Sequence, residues 1–108
     1  MISIATSLTA LFDIIPRRHS LENVKDITQL LVEYESLLIR IEAINPYYEK
    51  LTPVFFEELD AVRSALKKST DNKASKKSKD SFFDEASGTL KDSLQKLIGA
   101  YGDGSITG

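Results

Sequence analysis

Residues 20–44 read SLENVKDITQLLVEYESLLIRIEAI, and this stretch decides the fold class. Val24, Ile27, Leu31, Tyr34, Leu38 and Ile41 recur at alternating steps of three and four. Residues at that spacing stack on one side of an α-helix. Leu30, Leu37 and Ile44 form a second line, seven residues apart, beside the first. A two-stranded coiled coil needs only the first line. The wider face predicts a helix packed against two neighbours in a bundle. Ser20 is placed to cap this helix. Glu22 falls in the first turn, where a negative charge suits the positive pole of the helix dipole.

Upstream, Ile4, Leu8, Leu11 and Ile15 repeat at four, three and four, with Phe12 beside them. They predict a helix over about 3–15, ended by Pro16. Arg17, Arg18 and His19 follow as a loop. Downstream, Asn45-Pro46 and Thr52-Pro53 mark a corner over 45–53 that holds Tyr47, Tyr48 and Leu51, with a new helix from Pro53. One helix kinked at Pro53 is the alternative. Phe55, Leu59, Val62 and Leu66 place that helix over about 53–68. Ser69–Lys79 has no large apolar side chain and reads as a solvated, lysine-rich linker. Phe83, Ala86, Leu90, Leu94, Leu97 and Tyr101 give a last helix over about 81–101, capped by Asp80 or Ser81 and stopped by Gly102. Ser87-Gly88 is placed to bend it. No alternating strand pattern persists. The reading is all-α: a compact four-helix bundle, mostly antiparallel, forming a single domain over residues 1–108, with flexible segments at about 69–80 and 103–108.

Composition narrows the chemistry. The 108 residues include no Cys, no Trp, one His and one Met. Disulfide frameworks, thiolate metal sites and cysteine nucleophiles are excluded. His19 has no sequence cue for a partner base, and Ser20 beside it is used as a cap. Glu57, Glu58 and Asp60, and the pair Asp84 and Glu85, read as solvated helix faces, because no Glu-x-x-His pair accompanies them. Gly102-Asp103-Gly104-Ser105 lacks the strand, lysine and helix of a phosphate loop. No catalytic residue, metal ligand or cofactor is expected.

Charge is unevenly placed. Residues 21–62 hold nine acids and three bases, whereas residues 63–79 hold seven bases and one acid. An acidic body with one short basic stretch argues against a nucleic-acid binder. The longest uncharged run, Met1–Phe12, is too short to span a bilayer, and no secretory signal is read from it. A cytoplasmic location is the expectation.

What remains is surface. The wide apolar face and the aromatic pairs point to a non-enzymatic protein-interaction module, an adaptor or an oligomerisation unit. It would bind a protein partner or a second copy through Leu30, Leu37, Ile44, Tyr47, Phe56 and Phe82. The alternative is membrane association through the uncharged first helix, with Ile4, Leu8, Leu11 and Phe12 as the contact. Lys73, Lys76, Lys77 and Lys79 are candidate anion contacts.

Overall fold

The computed structural model describes residues 4–16 and 20–102 and contains four helices: α1 (Ile4–Asp13), α2 (Leu21–Glu42), α3 (Pro46–Ser69) and α4 (Lys76–Gly102). No strand occurs among the described residues. Consecutive helices pack side by side, and α1 closes the ring against α4. Cross-helix contacts set the directions. Val24 of α2 lines a groove with Lys67 and Thr70 of α3 while Glu35 meets Arg63, and on α3 Lys68 lies over Phe82 while Glu58 meets Lys96 of α4. Rising numbers on one helix therefore meet falling numbers on the next, so these neighbours are antiparallel. The result is an all-α bundle, elongated to 48 × 24 × 18 Å.

Each start has a local cause. The hydroxyl of Ser20 accepts the Asn23 N–H at 3.0 Å, which is the expected cap of α2. The side chain of Asn45 accepts the Tyr48 N–H at 3.0 Å, and Pro46 follows at a position that needs no donor. That cap is strong enough to begin α3 seven residues before the expected start at Pro53. The corner expected over 45–53 is instead the first two turns of α3, and the single-helix alternative holds. Pro53 is tolerated because it sits on the wet side. Tyr48, Thr52, Phe55 and Leu59 are buried at steps of four, three and four, while Pro53 and Val54 are exposed. The carbonyl that Pro53 cannot serve thus faces water rather than the core.

The last helix also begins earlier than expected. Ser75, not Asp80 or Ser81, is the cap: its hydroxyl accepts the Ser78 N–H at 3.1 Å. The linker shrinks to a turn over residues 70–75. Lys76, Lys77 and Lys79 lie on α4 itself. Lysine propagates a helix well, but it leaves no apolar period to read. Ser87-Gly88 does not interrupt the helix, and α4 is continuous through it. Its last described residue is Gly102, the expected stop. The Arg17–His19 loop, Ser3 of the first helix, the side chain of Tyr101 and the tail at 103–108 lie outside the described residues.

The core is one cluster drawn from all four helices. Small residues let α3 and α4, the most extensively packed pair, approach closely: Ala65 and Ser69 on one, Ala86 and Ser93 on the other, all buried. Thr52 is fully buried and its hydroxyl has no hydrogen-bond partner.

Two stability predictions follow from these details. A methyl at Gly88 meets nothing within 4 Å and the backbone there is helical, so Gly88→Ala should stabilise by about 0.5–1 kcal/mol. Thr52→Val removes an unpaired buried hydroxyl and should stabilise by about 1 kcal/mol. Urea unfolding followed by circular dichroism measures both. A lowered midpoint in either variant contradicts the packing described.

Candidate interaction surfaces and a buried polar seam

The two surfaces expected to meet outside molecules largely meet each other. Leu30 and Leu37 are buried, and so are Leu8 and Leu11. Ile4 and Phe12 pack partly buried against the same cluster. Leu11 and Leu37 line one groove between α1 and α2, with Ala10 and Ser36 at its rim. The second apolar line of α2 is therefore filled from within. Leu30 and Leu37 are core residues rather than a partner surface. Likewise, the apolar face of α1 is taken by α2 and α4 rather than left free for lipid. The remaining candidates divide. Ile44 and Tyr47 are exposed at the α2–α3 corner, whereas Phe56 and Phe82 are half-buried.

Further apolar side chains stand on the outer surface of α2, away from the periodic buried face. Val32 and Ile39 are 54% and 55% exposed. They are seven residues apart on α2 and so share one edge of it. Ser36 and Ala43, one helical turn on from each, are small and also exposed. Leu21 lies eighteen residues before Ile39, which is five turns, and falls on the same edge. The signal was present as an i, i+7 pair. It was hidden by the stronger periodicity of the buried face.

A polar seam crosses the interior. The Tyr34 hydroxyl of α2 and the Ser93 hydroxyl of α4 are 2.7 Å apart, and both residues are fully buried. This hydrogen bond joins the two helices that face each other across the bundle. Nearby on α3, one oxygen of Glu58 is paired with the Lys96 ammonium, and the other is buried with no partner. Lys96 also lies 5.7 Å from the centre of the Phe55 ring. Its ammonium thus reaches across from α4 to α3. Burial pushes the Tyr34 phenol far above its ordinary value. The bond with Ser93 pulls it back in part, and the Glu58 carboxylate adds to the rise. The phenol is held neutral and closed from solvent, so it serves as a fixed donor and acceptor rather than as a base. Among the described residues, no three His, Cys, Asp or Glu side chains gather to hold a metal ion.

The charged surface is plain by comparison. Arg63 reaches Glu35 at 3.2 Å and Asp60 at 3.5 Å, the latter as its spacing suggests. Lys73, Lys76 and Lys77 are exposed and Lys79 is half-buried, all at the α3–α4 turn. Among the described residues, no helix is long and apolar enough to cross a membrane.

The buried phenol carries a pH signature. Below about pH 10 both folded and unfolded chains keep the Tyr34 proton, and the contribution is fully present. Above that the unfolded chain releases the proton and the folded chain cannot, so stability should fall as pH rises. Tyr34→Phe should cost about 1–3 kcal/mol at neutral pH by orphaning the Ser93 hydroxyl. It should also lose less than the parent between pH 9 and pH 11 (roughly one unit either side of the free phenol). Equal alkaline losses in both proteins would contradict the buried placement.

Comparison of the chain with protein-family models, with curated proteins and with solved structures finds no match.

Proposed function

We propose that the protein is a non-enzymatic helical interaction module, and that it docks a second copy of itself along the outer edge of α2. The observation that carries this reading is the pair Val32 and Ile39, exposed on one edge with the small residues Ser36 and Ala43 between and beyond them. Small residues at alternate positions allow two helices to approach closely, while the larger pair supplies apolar area.

The flanking charges suit an antiparallel copy. Glu33 and Arg40 lie seven residues apart beside the apolar pair, and both are exposed. An antiparallel α2 sets each Glu33 opposite the other copy's Arg40, giving two equivalent ion pairs about a two-fold axis near Ser36. On the inner flank, Glu35 is already engaged by Arg63. The sites first read from the sequence give a useful contrast. Leu37→Asp places a charge in the core and should unfold the monomer. Ile39→Asp sits on the surface and should leave the helical signal unchanged.

Light scattering across a concentration series tests the proposal. The parent should show a dimer, and Val32→Asp or Ile39→Asp should shift it to a monomer of unchanged helicity. Arg40→Glu alone should weaken the dimer, and adding Glu33→Arg should restore it. A parent that stays monomeric at all concentrations, or a dimer indifferent to Val32 and Ile39, rejects it.

A further inference from the structure

The turn between α3 and α4 gathers six lysines at one end of the bundle. Lys67 and Lys68 end α3, Lys73 lies in the turn, and Lys76, Lys77 and Lys79 begin α4. Between residues 67 and 79 the one acid is Asp71, and its carboxylate accepts the Lys73 N–H at 2.9 Å. The ion pairs found among the described residues involve Arg63 and Lys96, not these six. Six bases against one acid leave residues 67–79 strongly positive on a protein that is otherwise acidic.

The placement runs against helix stability. The first turn of α4 holds Lys76 and Lys77 and no acid, although it is the positive pole of the helix dipole. A turn kept only for solubility has no need to oppose the dipole. Local conflicts of this kind are expected at functional or strained sites.

An apolar side chain shares this end. Leu21, the first residue of α2, is 77% exposed. Val24, one turn further on, lines a groove with Lys67 and Thr70 at the end of α3. Leu21 therefore projects past the end of α3, level with the lysine turn. The end face combines diffuse positive charge with one exposed leucine.

We propose that this end face docks on an anionic phospholipid bilayer. Lysines near such a surface are drawn to its negative potential, and an exposed leucine can enter the headgroup region. Residues 21–62 carry net negative charge, which the bilayer repels, so the long axis stands away from the surface. Nucleic acid suits the face less well. Among its described residues this face holds no arginine, and Phe82 is half-buried with the Lys68 ammonium 5.7 Å from its ring centre, which leaves no free aromatic platform there for stacking. This inference rests on the lysine turn and on Leu21, and does not depend on pairing through Val32 and Ile39.

Co-sedimentation of the full chain with phosphatidylcholine vesicles, with and without phosphatidylserine, tests it. Binding should require phosphatidylserine and weaken as salt rises. Each lysine neutralised should cost roughly fivefold in partitioning, and each one reversed should cost more. The variant Lys73→Glu/Lys76→Glu/Lys77→Glu should lose binding while its thermal midpoint holds or rises, because acids favour the start of α4. That opposite movement separates loss of the surface from loss of the fold. Leu21→Ser should weaken binding with no change in salt dependence. The proposal is overturned by partitioning independent of phosphatidylserine, by a triple variant that binds as the parent does, or by tighter binding to a single-stranded oligonucleotide at matched salt.

Discussion

The apolar face of α2 is too wide for one neighbour to cover, and the rest of the bundle is arranged around that constraint. Its first line, Ile27 through Ile41, is closed by α3 and by the diagonal reach to α4. Its second line, Leu30 and Leu37, stays wet unless a further element arrives from the other side. Leu8 and Leu11 on α1 fill that role, although α1 spans only ten residues. The short first helix is thus structural. Its apolar residues pack toward α2 and α4, while Thr6, Thr9 and Ala10 face outward.

The polar seam works within the same constraint. A bundle closed by apolar contacts alone leaves helix register loosely specified, because leucines slide past one another at little cost. The Tyr34–Ser93 bond ties the opposed helices at one level, and the Glu58–Lys96 pair ties α3 to α4 close by. Each polar group without its partner costs more than the bond contributes. A register that separates Tyr34 from Ser93, both fully buried, is therefore penalised.

Fold class and core were largely legible in the sequence, because the helical period of Leu, Ile, Tyr and Phe is a direct record of burial. Every apolar residue assigned to the first line of α2 from Ile27 onward is buried, as are Phe83, Ala86, Leu90, Leu94 and Leu97 of α4. Boundaries were less legible, and for two different reasons. At Pro53 a general rule against internal proline was outweighed by a well-formed cap at Asn45 and a continuous buried stripe through Thr52. At Lys76 the helix carries no apolar residue, so the period that signals helices has nothing to act on. The surface was least legible. Leu30 and Leu37 look the same in sequence whether a neighbouring helix or a partner molecule covers them, and only the path of α1 decides between the two.

The proposed pairing and the proposed bilayer contact constrain one another through geometry. Leu21, Val32 and Ile39 lie on one edge of α2, so the pairing strip runs lengthwise toward the lysine end. An antiparallel partner therefore points its own lysine end the opposite way. A dimer of this form cannot place both ends on one flat surface, and it gains no avidity there, because the second site faces away. It can hold two facing surfaces apart, with each lysine end on its own bilayer. A monomer standing on its lysine end instead keeps the α2 strip upright and accessible, above the headgroups. Dimerisation and docking are then compatible events, and the antiparallel sense of the pair sets which surfaces a single assembly can join.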